Sequence, residues 1–299
     1  MTLSTDRLAV EFISVLGLPP VPFVQLAATL GCRKIGIGLA PFVSNPHGYP
    51  AWSLRDNPQL RRDLIMALAD HGISISLGEG FLIRPGASID SCAADLDLMR
   101  EIGARRVNVL SIDPDLGRTL DELARFTAMA NSRELEATLE FMPGTPIGDL
   151  AGALAAIRHV GGHRLRLLID LMHTFRSGAH VCDLAALDPT EVGYIQICDV
   201  PKVSRHASYA EEARDERLKP GDGELPLEEA LSVLPRDLVV GLEVPMRSQA
   251  AAGIGPRERL SGCVHATQRM LDRLPAHNLG PARLDEYPGH VQIVGKVDK

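Results

Sequence analysis

The sequence predicts a parallel α/β fold closed as a single (β/α)8 barrel, and three observations carry that prediction. Short apolar runs recur eight times along the 299 residues. Segments with helical apolar spacing separate them, and no G-x-G-x-x-G follows the first run, so a doubly wound dinucleotide-binding sheet lacks support. Runs that are apolar nearly throughout indicate strands buried on both faces, as in a parallel sheet. Alternation of β and α over the whole length gives parallel order. Eight such units in under 300 residues fit a closed barrel of about 250 residues.

Taken in order, the runs are LAVEFISV (8–15), KIGIGL (34–39), ISISLG (73–78), RVNVLSI (106–112), ATLEFM (137–142), LRLLID (165–170), VGYIQIC (192–198) and LVVGLEV (238–244). Helical patterns lie between them at 57–72, 88–103 and 119–134, and a last one covers 256–274. The first two close on a Gly, a helix stop signal. Residues 199–224 break the rhythm as a long polar loop, and loops of that length in a compact domain are usually functional. Its mixed charges favour an ordered lid. Residues 1–274 therefore form the barrel, and 275–299 a tail that carries HVQIVGKV (290–297) and wraps the barrel, contacts a second subunit or stays flexible.

Composition narrows the partners. The formal charge of −7 opposes nucleic-acid binding, and aromatic residues are 4% of the chain, few for stacking along a polymer. The cysteines, Cys32, Cys92, Cys182, Cys198 and Cys263, are odd in number and widely spaced, which fits reduced thiols in a cytoplasmic protein. No apolar run is long enough for a membrane span, and Glu11 interrupts the N-terminal apolar stretch, so no signal peptide is expected. A small soluble molecule is the expected partner.

In a (β/α)8 barrel the active site lies at the C-terminal ends of the strands. Run five carries Glu140, run six ends at Asp170, run seven carries Gln196 and run eight carries Glu243. A lone buried carboxylate costs several kcal/mol unless paired or ligated. Three carboxylates at one mouth repel one another, and a divalent cation relieves that conflict. His173 follows Asp170 in D-L-M-H and turns back toward the same place. Arg176 is a candidate for a substrate anion or for a loop cap. Glu79 ends run three in SLGEG and reaches the mouth. On the long loop Arg214 is the first candidate to bind an anionic group of a substrate and Arg205 the second.

Strand-end Glu, D-x-x-H, a polar residue before I-C-D and a final G-L-E-V together resemble the xylose-isomerase-like barrels, the sugar phosphate isomerase/epimerase group. The resemblance spans runs one to eight and is strongest over 137–245. It implies that Glu140, Asp170, Gln196 and Glu243 hold one divalent metal ion. It also implies that Glu140 and Glu243 form an acid/base pair and that His173 contacts the substrate. The implied chemistry is proton removal next to a carbonyl through an enediolate. The group's usual strand-seven ligand is histidine. Gln196 offers an amide oxygen instead, which lowers affinity for Zn²⁺ and favours Mg²⁺ or Mn²⁺, with Co²⁺ or Zn²⁺ as alternatives; otherwise the metal is bound weakly, or His206 on the nearby loop compensates.

Four functions follow for comparison. The first is an isomerase or epimerase on a small sugar, keto-polyol or sugar acid, as a homo-oligomer or monomer. The second is a lyase that dehydrates a cyclic keto-polyol such as an inosose or dehydroshikimate. The third, the apurinic endonucleases that share the barrel, needs further histidines, whereas runs two to four end in GIGLA, SLGEG and VLSID. The fourth is a binding protein without catalysis.

Overall fold

The computed structural model describes residues 4–42, 45–161 and 165–274. The segment from Pro275, with its alternating piece at 290–297, lies outside the described residues. Eight parallel strands close into a barrel in chain order, β8 pairing back onto β1. They are β1 (Leu8–Val10), β2 (Lys34–Gly38), β3 (Ser74–Ile83), β4 (Arg106–Ser111), β5 (Glu136–Glu140), β6 (Leu165–Asp170), β7 (Val192–Ile197) and β8 (Val240–Leu242). All eight expected strands exist, at shifted boundaries. β1 stops at Val10 because Glu11 turns into the barrel and Phe12–Val15 coil as a 3-10 turn.

The outer layer contains α1 (Pro20–Thr29), α2 (Pro58–His71), α3 (Ala93–Glu101), α4 (Leu116–Asn131), α5 (Leu150–Val160), α6 (Leu171–Arg176) and α7 (Val181–Ala185). It continues with α8 (Tyr209–Asp215), α9 (Leu227–Val233), α10 (Arg247–Ala251) and α11 (Pro256–Arg273). Local chemistry sets the ends. Asn57 accepts from Leu60 N at 3.0 Å to start α2, and Gly72, left-handed at φ 61°, ends it. Asp115 and Asp149 start α4 and α5 in the same way, accepting from Arg118 N and Gly152 N. The expected helix start at 119 thus moves back to its acidic cap. One apolar core joins the helices to the outer faces of the strands, while Leu77, Leu168 and Tyr194 pack as a separate cluster. No helix among the described residues is long and apolar enough to cross a membrane.

Two irregularities position the site. β3 runs past its expected end, and its register to β4 shifts between Gly78 and Phe81. Glu79 and Gly80 occupy that irregularity, with Gly80 at φ 99°, a conformation that favours glycine. The second is the 199–224 segment. Asp199 pairs with Leu218 in an antiparallel bridge and accepts from Gly221 N (2.9 Å) and Leu225 N (3.1 Å). Gly223 packs so closely on Asp199 that a Cβ there would collide with the carboxylate. Glu216 bridges to Met246. The segment is therefore laced across the mouth as an ordered lid carrying α8, as its mixed charges suggest.

Candidate active site

The strand ends bring Glu140, Asp170, Gln196 and Glu243 to one end of the barrel, with Asp170 level with Gln196 across the β6–β7 pair. Asp170 also caps α6. Its Oδ1 accepts from His173 N at 3.0 Å, so the cap fixes where the histidine stands. His173 Nε2 then lies 3.2 Å from Glu140 Oε1 and 3.9 Å from Asp170 Oδ2. Its Nδ1 contacts the hydroxyl of Tyr209, which α8 brings in from the lid. Asn108 on β4 donates to Glu140 Oε2 at 2.6 Å. Each of these side chains is held by another before any ligand arrives.

Arg217, which sequence reasoning passed over, sits at the centre. It is 3% exposed, and its Nη1 lies 2.5 Å from Asp170 Oδ2 and 2.9 Å from Glu243 Oε2. Its Nε donates to Ala213 O at 2.6 Å, and its backbone N donates to Pro245 O at 2.9 Å. The sequence carried no signal for it, because the bridges of Asp199 to Leu218 and of Glu216 to Met246 bring it to the barrel mouth. Arg214 and Arg205, chosen instead, are exposed. Arg214 lines the cavity and pairs with its neighbour Asp215, whereas Arg205 is not among the cavity's walls.

One guanidinium shared by two carboxylates divides them. Burial opposes ionisation of Asp170, but the charges of Arg217 and His173 outweigh it and hold its pKa below the ordinary range. Glu243 goes the other way. Burial raises its pKa, Arg217 only partly offsets that, and Asp170 and Glu140 add repulsion. Burial would also weaken the charge on Arg217, but Asp170 and Glu243 hold its pKa well above the ordinary value.

A cavity of about 550 Å³ opens above this cluster, a volume suited to a small ligand. Glu140, His173, Arg217, Glu243 and Glu79 line it together with Arg214. Asp170 and Gln196 are 1% exposed and lie beneath that surface. Gln196 Nε2 donates to Glu243 Oε1 at 3.4 Å, and its buried Oε1 has no hydrogen-bond partner. Among the described residues, Glu140, Asp170 and His173 form a cluster whose ligand atoms lie within 4.8 Å of one another, and His206 is not part of it.

Arg176 needs correction as a substrate-binding residue. Its guanidinium donates to Lys202 O (2.7 Å), Pro201 O (2.8 Å) and the buried Glu212 (3.0 Å). Those partners hold both terminal nitrogens, so it clamps the lid onto α6.

Comparisons with known proteins bear on the fold and the family. None of the curated proteins matches by sequence. The IolI protein with a bound zinc atom superposes with a TM-score of 0.75 at 16% identity, covering 91% of this chain and 100% of that one. A probable 3-DHS dehydratase, AsbF, from Bacillus anthracis gives 0.67 at 15% identity, covering 87% and 98%. D-psicose 3-epimerase gives 0.62 at 12% identity, covering 89% and 97%. A fusion of a xylose isomerase-like TIM barrel with a 4-hydroxyphenylpyruvate dioxygenase gives 0.65 at 22% identity. There the match covers 83% of this chain but 41% of the longer one. At these identities the superpositions establish the fold. The family model for the xylose isomerase-like TIM barrel matches residues 24–261, most of the chain, and with the closed barrel and its strand-end acids it makes this protein a member of that family.

Proposed function

We propose that this chain is an isomerase or epimerase of a small sugar, keto-polyol or sugar acid, acting by proton removal next to a carbonyl. The observation that carries the reading is the placement of Glu140 and Glu243 in one cavity wall, three strands apart in a ring of eight. Two carboxyls so placed reach a substrate carbon from different sides. Glu243, whose pKa is raised by burial, holds a proton more readily than an exposed glutamate. His173, fixed by Asp170 and Tyr209, and Arg217 present N–H groups to substrate oxygens.

The donor set fits a hard divalent cation, Mg²⁺ or Mn²⁺ before Co²⁺ or Zn²⁺. Carboxylate oxygens dominate it, Glu140, Asp170 and His173 converge, and Gln196 Oε1 is a buried acceptor without a partner. Glu140, Asp170, Gln196 and Glu243 would hold the ion, which supplies Lewis-acid polarisation of a carbonyl when bound. Arg217 competes with it for Asp170 and Glu243.

Proton NMR in deuterated water tests the reading, with D-fructose, D-tagatose, D-psicose and cyclic keto-polyols as a panel, each with and without Mn²⁺. Exchange of the proton next to the carbonyl is expected for at least one compound. Absence of exchange across the panel counts against it. A second reading, dehydration of a cyclic keto-polyol, draws on the dehydratase among the structural neighbours. An enone signal in the same spectra separates it from isomerisation.

A further inference from the structure

On the other side of the barrel lies a second pair of acids. Glu11 follows β1 and turns inward between β2 and β8. Those two strands present Gly36 and Gly241 to it, and a Cβ on either would overlap a Glu11 carboxylate oxygen. The fold has vacated two side-chain positions for this one carboxyl. Its Oε1 accepts from the hydroxyl of Tyr194 at 2.7 Å, and that hydroxyl lies 2.9 Å from Ser76 Oγ. Its Oε2 is buried and has no N–H or O–H partner. Glu79 Oε1 crowds the same point beside Gly36 and accepts from Phe12 N at 3.2 Å.

Two carboxylates this close, with no Lys or Arg among the described residues paired to either, cannot both ionise, so they share a proton. The proton supplies the partner that Glu11 Oε2 otherwise lacks. The two acids differ in access. Glu11 is fully buried, whereas Glu79 is 8% exposed and lines the same cavity as Glu140, His173, Arg217 and Glu243. The irregularity in β3 is what turns Glu79 to that wall.

We propose that Glu79 is a catalytic acid, kept neutral by Glu11 and facing the substrate. It donates its proton to the substrate oxygen that gains charge when Glu140 or Glu243 takes the neighbouring carbon's proton. The inference rests on the isomerase reading above. The step balances. The C–H bond breaks and its electrons form the C=C bond of an enediol. The carbonyl π electrons pass to oxygen and bind the proton of Glu79, whose O–H bond breaks and leaves its electron pair on the carboxylate. The reverse transfers restore both acids, so no oxidant or reductant is required. Glu11, out of reach of the cavity, is a positioning residue.

Two measurements on the full chain test it. Infrared spectra of protein labelled with 13C-carboxyl glutamate should show a neutral-carboxyl C=O band that the double variant Glu11→Gln/Glu79→Gln lacks. This readout needs no substrate. For the panel compound that exchanges, Glu79→Gln, which keeps the shape and an N–H donor, should lower kcat about 100-fold with KM within about threefold of the wild type. Glu11→Gln should lower kcat in the same direction and weaken the band. A band unchanged in the double variant overturns the proposal whatever the substrate is, and so does wild-type kcat in Glu79→Gln. Failure of the wild type to exchange any panel compound removes the underlying reading, and the catalytic role with it, even where the band is present.

Discussion

On the β5–β8 side of the mouth, Asp170 and Glu243 meet a buried guanidinium and Glu140 meets His173. On the β1–β3 side, Glu11 and Glu79 meet each other and a tyrosine hydroxyl. The residue types are the same and the burial is similar. The charge states differ because the available partners differ. A cation lowers the pKa of the acid it serves best, Asp170, whereas burial pushes that of Glu11 up to about 8, with the charges of Glu243 and Glu140 adding to the rise and hydrogen bonds with Tyr194 and Glu79 opposing it. Glu79 is raised well above the ordinary range by burial first and by the charge of Glu11 next. One mouth thereby carries an ionised Asp170 on one side and a protonated acid on the other.

The largest expected effect comes from the charged side. Glu140→Gln and Glu243→Gln should each slow deuterium exchange by about 10³-fold, and exchange near the wild-type rate in either variant would remove that residue from the acid/base pair. Next is Arg217→Met, which leaves Asp170 and Glu243 buried without their cation. Urea unfolding should then show a loss of about 3–5 kcal/mol without metal. Mn²⁺ should recover part of it, and titration calorimetry should show tighter Mn²⁺ binding than in the wild type. Equal stability and equal affinity would mean that the guanidinium and the ion do not compete.

The neutral side gives a pH dependence. The Glu11 carboxyl faces Glu79, Tyr194 and, farther off, Glu243 and Glu140. A group whose pKa is raised on folding favours the fold while protonated. Its contribution is fully present below the ordinary glutamate value of 4.5 and is lost as pH rises through about 8. Wild-type stability should therefore fall across that window relative to Glu11→Gln, by on the order of a few kcal/mol. Parallel curves for the two proteins would show that Glu11 titrates as an ordinary acid. The smallest effect belongs to the lid clamp. Arg176→Ala should cost about 1–3 kcal/mol and raise KM more than it lowers kcat, because the Pro201, Lys202 and Glu212 contacts go while Glu140 and Glu243 stay. A fall in kcat alone would place Arg176 in the chemistry instead.

Much of the charged side is legible along the chain. Glu140, Asp170 and Glu243 stand out because a carboxylate inside an apolar run must have a partner. His173 follows from the turn after a strand that ends in an acid. Arg217 is hidden for the opposite reason. It lies in a polar stretch where charge is normal, and only the Asp199–Leu218 and Glu216–Met246 bridges carry it inward. Glu11 reads as an interruption of an apolar stretch. Its niche depends on Gly36 and Gly241, which are far from it in sequence and adjacent only once β1 sits between β2 and β8.

The amino-acid sequence by itself determined the eight β/α units, their parallel order and the strand ends that carry acids, since period, apolar runs and caps are local properties. Tertiary structure alone decided which acid is charged, which arginine is buried and which glutamate keeps a proton. Those outcomes depend on distances between residues far apart in the chain, 183 positions in the case of Glu11 and Tyr194. Burial makes every such distance count, because in a low-dielectric interior a carboxyl's state is set by its nearest partner.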